Sequence, residues 1–178
     1  MGKVLWHFTM SLDGFIAGPE HSMDWMLGFG EENSEVDELL KRIGAVLAGR
    51  RTYDVGAVQE RPEFRRPYGG AFSGPVFVLT HKAPQDPNVT FLSGDIGAAV
   101  ETASRAAGDK YVVIFGADVA RQCIEAHLLD EIAVHVVPVL LGDGVRLFSR
   151  PNGDLVHLEL SRVSRAVQVT NLRFEVVG

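Results

Sequence analysis

The chain has 178 residues, 46% of them hydrophobic and 22% charged, and these ordinary globular proportions exclude a largely disordered protein. The length suits a single domain over residues 1–178 with a substantial core. The net charge of −6 argues against a general nucleic-acid binder, but it permits a small anionic ligand held by a local group of arginines.

The cysteine content and the hydropathy indicate a cellular location. The single cysteine, Cys123, excludes an internal disulfide and a cysteine metal cluster. The first residues are interrupted by polar side chains too early to form a signal peptide. No apolar run approaches the roughly 20 residues that a membrane helix needs. We therefore expect a soluble, cytoplasmic protein.

Hydrophobic periodicity predicts strands that alternate with helices along the chain. The predicted strands are residues 4–9, 15–17, 45–48, 75–80, 88–92, 111–115, 132–137, 155–164 and 166–176. The predicted helices are residues 35–43, 50–58, 96–107 and 119–127, with Asn33 or Ser34 capping the first, Asp95 capping the third, and Gly44 and Gly108 ending these two. This order predicts an α/β fold with a mostly parallel central sheet, helices on both of its faces and an antiparallel C-terminal edge.

One stretch of the sequence combines a strand end with basic residues. The strand 45–48 stops at Gly49, and Arg50, Arg51 and Thr52 open the next helix. A helix N-terminus has unpaired N–H groups and a partial positive charge, so these side chains suit a phosphate. A capped helix with solvated arginines explains these residues equally well when they are considered alone.

A second junction repeats this arrangement. The apolar strand 111–115 ends in Gly116, Ala117 and Asp118 before the next helix. Two strand–glycine–helix junctions in one small α/β domain suit a ligand with two anionic groups. Thr80 and His81 follow a third strand, and ligands gather at the carboxyl ends of strands in such sheets.

The segment after the first strand has the features of a site edge. Asp13 lies before a glycine, where it serves either as a functional carboxylate or as a turn-forming residue. Trp25 lies beyond it, either as the wall of a pocket or as an anchor for a loop. The six histidines are scattered, are expected to be structural, and lack the zinc-ligand spacing of a deaminase.

Together these motifs resemble the dihydrofolate reductase-like superfamily. The segments that carry the resemblance are Met10 to Ala17, Gly49 to Tyr53, Phe115 to Ala120 and Pro138 to Gly144, in the order typical of that superfamily. The chain looks most like the branch that contains the reductase domain of the riboflavin-biosynthesis deaminase-reductase. The resemblance covers nearly the whole chain.

The resemblance implies an NADPH-binding reductase with its cofactor along the strand ends. Gly49, Arg50, Arg51 and Thr52 would then hold the 2′-phosphate. Thr80 and His81 would line the adenosine side of the cofactor. The backbone N–H groups of Gly116, Ala117, Asp118 and Val119 would bind the pyrophosphate and the nicotinamide ribose. The loop from Ser11 to Ala17 would cover the nicotinamide.

The substrate side is less defined by the resemblance. Asp13 is the candidate proton donor or substrate anchor, and Trp25 is the candidate stacking wall. Glu35, Asp37 and Glu38 on the first helix do not align with the acid of classical dihydrofolate reductases, so folate reduction is not the first choice.

The sequence is compatible with two functions. The first is NADPH-dependent reduction of a small heterocycle of the pteridine, flavin-precursor or pyrimidine type, by hydride transfer. The second is an NADP(H)-binding module or sensor without turnover. The apolar flanks of the segment 138–148 and the alternating terminal strands predict a homodimer, which is also common among relatives of this branch. No metal, membrane or nucleic-acid partner is expected.

Overall fold

The computed structural model describes residues 2–29, 33–61, 64–82, 84, 86–151 and 153–178. The strands in these ranges are β1 (Val4–Ser11), β2 (Phe15–Ala17), β3 (Ile43–Gly49), β4 (Val76–Leu79), β5 (Thr90–Leu92), β6 (Tyr111–Phe115), β7 (Glu131–Val137), β8 (Val145–Arg146), β9 (His157–Ala166) and β10 (Val169–Val177). The α-helices are α1 (Ser34–Arg42), α2 (Arg50–Val58), α3 (Ile96–Ala107) and α4 (Ala117–Glu125). None of the helices in the described ranges has the length and hydropathy to cross a membrane.

Eight of these strands form one sheet in the order β5-β4-β3-β6-β1-β7-β10-β9. The six strands from β5 to β7 are parallel, while β10 runs antiparallel to both β7 and β9. The predicted mostly parallel sheet with an antiparallel C-terminal edge is confirmed. Central strands such as β6, with the sequence YVVIF, are apolar throughout because both of their faces are covered.

The two faces of the sheet are covered by different elements. On one face, which we call the α3–α4 face, Leu47 and Ile114 pack among the buried side chains of α3 and α4. On the other, which we call the α1 face, Leu5 and Val113 pack with Leu39 of α1. Helices therefore lie on both faces, as expected. The prediction of central strands is also confirmed, because Leu47 and Ile114 are fully buried.

Several element boundaries differ from those predicted. The first helix ends at Arg42, and Gly44 lies inside β3 instead of ending that helix. The reason is close packing, because a Cβ on Gly44 would lie 2.5 Å from the carbonyl oxygen of Ala107 at the end of α3. The last helix begins at Ala117, two residues before the predicted start, since Gly116 acts as its N-cap.

A small second sheet lies beside the main one. β2 pairs antiparallel with β8, a strand within the segment 138–148 that was not among the predicted strands. Arg146 of β8 stacks over the ring of Phe15, 4.8 Å from the ring centroid. This pairing fixes the segment that follows β1 against the segment that follows β7.

We predict that Gly44→Ala lowers the free energy of unfolding by about 1–3 kcal/mol, because backbone atoms of Ala107 cannot move aside for the new methyl group. Urea titration followed by circular dichroism measures the change. Gly56→Ala in α2 is the matched control, since its Cβ would make only ordinary contacts at 3.5 Å. It is expected to gain about 0.5–1 kcal/mol through helix propensity. Equal effects of the two substitutions would contradict the packing argument.

Candidate functional site

The candidate site lies where two neighbouring strands send the chain in opposite directions. β3 and β6 are adjacent and parallel, with Ala48 level with Phe115. From β3 the chain goes through α2 to β4 on one side, and from β6 it goes through α4 to β7 on the other. Ligands of open α/β sheets bind at such a switch point, outside the carboxyl ends of the strands.

The two helices that start at this point lack a side-chain cap. α2 begins after Gly49 and α4 after Gly116, and no side chain of the described residues accepts a hydrogen bond from either first turn. By contrast, Asn33 caps α1 and Asp95 caps α3. The uncapped N–H groups of α2 and α4, with the positive ends of the helix dipoles, are free to bind an anion.

The absence of side chains at the two glycines lets these helix ends touch. A Cβ on Gly116 would lie 2.5 Å from Thr52 Oγ1, and one on Gly49 would lie 3.0 Å from Val119 Cγ2. Gly116 also has φ of 102°, a conformation that favours glycine. Four of the predicted cofactor-binding residues, Gly49, Thr52, Gly116 and Val119, are thus brought together at the two junctions.

The arginines of the first junction have different surroundings. Arg50 is anchored, because its Nε donates to Asp54 Oδ1 at 2.7 Å and its Nη1 donates to the Lys82 carbonyl at 2.5 Å. Arg51 is exposed, and its charge helps to lower the pKa of the Asp118 carboxyl at the other junction, after the larger effect of a hydrogen bond from Arg121. The positive charge of Arg51 on α2 therefore interacts electrostatically with the first turn of α4.

The residues that follow β4 lie next to the first junction, at the start of α2. Thr80 is buried, and its hydroxyl donates to the Lys82 carbonyl at 3.1 Å and accepts from the Lys82 N–H at 3.2 Å. His81 is exposed. The Lys82 carbonyl also accepts the Arg50 guanidinium, so the turn after β4 is tied to the start of α2.

Asp13 holds two loops together. Its carboxylate accepts the Ser11 hydroxyl at 2.7 Å and the N–H groups of Leu141 and Gly142 at 3.1 and 2.7 Å. The Ser11 hydrogen bond is the main reason that the pKa of Asp13 falls to about 2, and the two backbone bonds add to it. The carboxylate is therefore ionised at neutral pH, which favours a positioning role for Asp13 over proton donation.

Trp25 and Ala17 lie at the far end of β2 from Asp13. Ala17 is buried, and Trp25 belongs to a short 3-10 turn, Asp24–Met26. A Cβ on the intervening Gly18 would lie 3.8 Å from Trp25 Cδ1, so the indole is next to the end of β2. Its buried Nε1 has no hydrogen-bond partner among the described residues.

Two histidines that the sequence analysis treated as isolated are directly bonded. His7 on β1 and His135 on β7 lie on neighbouring strands, and their Nε2 atoms are 2.6 Å apart. Tyr68 bonds to His7 Nδ1 at 2.6 Å, and Asn171 to His135 Nδ1 at 2.5 Å. The available signal was that each histidine lies inside a largely apolar predicted strand, where its side chain is expected to be buried. No group of three or more metal-ligating side chains occurs in the described ranges.

A family model, the RibD C-terminal domain, matches residues 2–171. The chain belongs to the RibD C-terminal domain family. The resemblance to this branch of the dihydrofolate reductase-like superfamily is thereby confirmed. Among curated proteins, the uncharacterized protein YwjB of Bacillus subtilis (strain 168) is 30% identical over 147 residues, which is 82% of each chain.

Solved structures show the same fold for this member of the RibD C-terminal domain family. A putative riboflavin biosynthesis protein from Shewanella sp. PV-4 superposes with a TM-score of 0.80 at 22% identity, over 100% of both chains. A dihydrofolate reductase from Enterococcus faecalis, complexed with NADP(H) and RAB-propyl, superposes with a TM-score of 0.65 at 12% identity, over 99% of this chain and 98% of its own. The dihydrofolate reductase-like fold is confirmed.

We predict that Gly116→Ala in this RibD C-terminal domain protein lowers the free energy of unfolding. The new methyl group would combine a positive φ with an overlap of Thr52 Oγ1. Gly94→Ala is the matched control, because its φ of 112° is similar and nothing lies within 4 Å.

The control should lose about 1–2 kcal/mol from backbone strain alone. Gly116→Ala should lose roughly 1–3 kcal/mol more through overpacking. Urea denaturation of both variants measures these effects. Equal losses of stability would contradict close packing of the two junctions.

Proposed function

We propose that the protein is an NADPH-dependent reductase that transfers hydride to a small heterocycle of the pyrimidine, flavin-precursor or pteridine type. The observation that carries the proposal is the meeting of two uncapped helix N-termini at Gly49 and Gly116, beside Arg50 and Arg51. Such a site suits a ligand with two separate anionic groups. Membership of the RibD C-terminal domain family, and the NADP(H) complex of the structurally similar dihydrofolate reductase, support this cofactor.

The residues present fit NADPH along the strand ends. Arg51 and Arg50, with the Thr52 hydroxyl, would hold the 2′-phosphate, because guanidinium groups form strong charge-assisted bonds to phosphate. Thr80 and His81 would line the adenosine side. The first-turn N–H groups of Ala117, Asp118 and Val119, after Gly116, would bind the pyrophosphate, and the loop that ends at Ala17 would cover the nicotinamide.

The chemistry follows from this placement. The bound cofactor supplies a hydride, and the protein orients it towards the substrate and excludes water. The ionised carboxylate of Asp13 bonds the loop after β1 to the loop after β7, and would thereby hold the loop that covers the nicotinamide in place. Trp25 would form a wall of the substrate side, next to the end of β2.

We predict that Arg51→Ala and Arg50→Ala each weaken NADPH binding by about 10–100-fold, since a hydrogen bond to a charged group contributes roughly 1.5–3 kcal/mol. NADH binding should change little, because NADH lacks the 2′-phosphate. Fluorescence titration with both cofactors measures the ratio. Arg105→Ala, on the last turn of α3, is the control and should leave both affinities unchanged.

The same preparation tests turnover. NADPH oxidation is followed by the loss of its absorbance with a panel of aminopyrimidines, flavin precursors and pterins. Oxidation with one class supports the reductase. Binding of NADPH without oxidation by any member of the panel would favour the second candidate, a binding module or sensor. Equal loss of NADPH and NADH affinity in the arginine variants would contradict the 2′-phosphate assignment.

We also propose a cytoplasmic homodimer formed through the sheet edge. β9 ends the sheet, and Leu158, Leu160 and Val163 are 41, 57 and 56% exposed. A register shift between Arg173 and Phe174 of the neighbouring strand β10 places these three side chains on one face of the sheet. Their cross-strand neighbours on β10 are Val176, Phe174 and Leu172. An apolar stripe on an open edge strand is suited to pairing with a second copy.

We predict that Leu160→Asp combined with Val163→Asp converts the dimer into a monomer, because two carboxylates would be desolvated in the interface. Light scattering coupled to size exclusion, at micromolar concentration, measures the mass. Val58→Asp, a substitution of an exposed valine at the end of α2, is the control and should leave the mass unchanged. A wild-type protein with a monomer mass would contradict the proposed assembly.

A further inference from the structure

A chain of four hydrogen-bonded side chains runs through the interior on the α1 face. Tyr68 Oη lies 2.6 Å from His7 Nδ1, His7 Nε2 lies 2.6 Å from His135 Nε2, and His135 Nδ1 lies 2.5 Å from Asn171 Oδ1. The two histidines are each 7% exposed and Asn171 is 6% exposed, while Tyr68 is only partly buried. Of the four, Tyr68 is thus the most exposed.

The direction of these hydrogen bonds is fixed by a backbone group. The N–H of Glu35 can only donate, and it donates to Asn33 Oδ1 at 3.3 Å. The other end of that amide, Asn33 Nδ2, therefore donates to Asn171 Oδ1 at 2.9 Å. Asn171 Nδ2 donates in turn to Asn33 Oδ1 at 3.1 Å and to Ser164 Oγ at 3.2 Å. Asn171 Oδ1 is consequently an acceptor.

The direction of donation is then determined for the hydrogen bonds of both imidazole rings. Because Asn171 Oδ1 accepts, His135 Nδ1 carries a hydrogen, and in the neutral ring its Nε2 is an acceptor. His7 Nε2 therefore donates to His135 Nε2, which leaves His7 Nδ1 as the acceptor of the Tyr68 hydroxyl hydrogen. With both rings neutral, the whole chain points from Tyr68 towards Asn171. One additional proton on His135 would reverse the two bonds nearest to Tyr68.

The Tyr68 end of this chain lies beside the proposed cofactor site. Trp6 of β1 is level with Ile114 of β6, and the same register places His7 level with Phe115, the residue before Gly116. The ring of Tyr68 lies 5.5 Å from that of His7 in a stacked arrangement and 5.4 Å from that of Phe115. Tyr68 therefore reaches the strand end at which α4 and the proposed pyrophosphate site begin.

The surroundings assign each member its protonation state. Burial raises the pKa of Tyr68, so its hydroxyl keeps its proton. Burial lowers the pKa of His7 well below its usual value, and His135 and Arg173 lower it further. Burial also lowers the pKa of His135, but the Asn171 hydrogen bond and the Glu35 charge oppose this effect. An additional proton therefore resides on His135 and not on His7.

We propose that Tyr68 donates the proton that accompanies hydride transfer, and that His7 and His135, oriented by Asn171, return a proton to its oxygen. This inference rests on the proposed reductase function. The substrate is then a heterocycle with a C=N or C=O bond whose nitrogen or oxygen faces Tyr68 and whose carbon faces the nicotinamide. Tyr68 is the catalytic residue in this scheme, while His7, His135 and Asn171 are positioning residues.

The step balances in atoms and electrons. The hydride brings two electrons to the substrate carbon, and the π pair of the C=N or C=O bond moves to the heteroatom, which takes the Tyr68 hydroxyl proton. The Tyr68 oxygen takes the Nδ1 proton of His7, and His7 Nε2 takes the Nε2 proton of His135. The step starts from the imidazolium form of His135, which the lowered pKa of this ring makes the minor form at neutral pH. His135 becomes neutral in the step and regains a proton from water after the product leaves. NADPH becomes NADP⁺.

The first test removes only the hydroxyl. Tyr68→Phe keeps the ring contacts with His7 and Phe115, and we expect kcat to fall about 100-fold or more, the usual contribution of a general acid. The dissociation constant of NADPH should be unchanged. Tyr53→Phe is the matched control, because its hydroxyl bonds to Asp86 at 3.0 Å, outside the chain of histidines. It should retain the wild-type kcat.

The outcomes separate the two proposals. A wild type that oxidises NADPH with a panel substrate, together with a slow Tyr68→Phe variant, supports the proton donor. An active wild type with a Tyr68→Phe variant within twofold of its kcat overturns the proton donor and leaves the reductase proposal intact. A wild type that oxidises no NADPH with any panel substrate overturns the reductase proposal, and the proton donor with it.

The second test addresses the positioning residues through the pH profile of kcat. Since His135 must be protonated before the step, kcat should rise as the pH falls through the pKa of His135. Asn171→Ala removes the acceptor that favours the imidazolium, so the midpoint should move to lower pH. Asn171→Asp places a carboxylate there and should move the midpoint to higher pH, by about one unit. A merely structural role would lower kcat in both variants without opposite shifts.

The charged neighbours of His7 and His135 shift the pKa values of these two rings in opposite directions. Glu35 of α1 favours the imidazolium of His135, and it is itself paired with Arg162 of β9 at 2.7 Å. Arg173 of β10 opposes a charge on His7. Neither group changes between the two Asn171 variants. A midpoint that stays the same in Asn171→Ala and Asn171→Asp would overturn the role of the histidine pair.

Discussion

The candidate site depends on the contact between two helix N-termini at the carboxyl ends of β3 and β6. That contact exists only because Gly49 and Gly116 have no side chains, since a Cβ on Gly116 would overlap the Thr52 hydroxyl. The same glycines cannot cap their helices, so the first-turn N–H groups of α2 and α4 stay unpaired by side chains within the described residues. Close packing and anion binding therefore have one structural cause.

This arrangement would reconcile an acidic protein with the anionic cofactor that we propose. The net charge of −6 is a property of the whole chain, whereas a phosphate at the site would face two helix dipoles and the Arg51 guanidinium. Asp118 lies in the first turn of α4, but its carboxylate is bonded to Arg121 and Gln122 at 2.7 and 2.8 Å. Its charge is thus balanced by neighbours on its own helix. The local field at the junctions remains favourable to an anion.

The sequence predicted the elements well because local patterns decide them. The apolar run of β6, the Asp95 cap of α3 and the antiparallel pair at the C-terminus are all local features. Gly44 was assigned wrongly because its role depends on α3, which is far away in the sequence. The pairing of β2 with β8 was missed for a similar reason, since each is only two or three residues long and its partner is distant.

The site was predictable to the same extent. The two glycine junctions are contiguous motifs, and their residues were identified from the sequence, although nothing in the sequence shows that Thr52 touches Gly116. The bonded histidines could not be found in this way. His7 and His135 are 128 positions apart, and only the pairing of β1 with β7 brings their rings together. Interactions that depend on strand order and register were therefore outside the reach of local patterns.

Asn33 links the fold to the proposed chemistry on the α1 face. Its side-chain oxygen caps α1, and this single contact determines which end of its amide faces Asn171, and hence which nitrogen of each histidine carries a hydrogen. A helix cap thereby sets the polarity of a hydrogen-bonded chain that ends at Tyr68. The carboxylate of Asp13, with its pKa near 2 and three hydrogen bonds to accept, is suited to holding loops and not to supplying protons. The division of roles follows: an ionised acid holds the loops after β1 and β7 together, while the buried histidines and Tyr68 hold the transferable hydrogen.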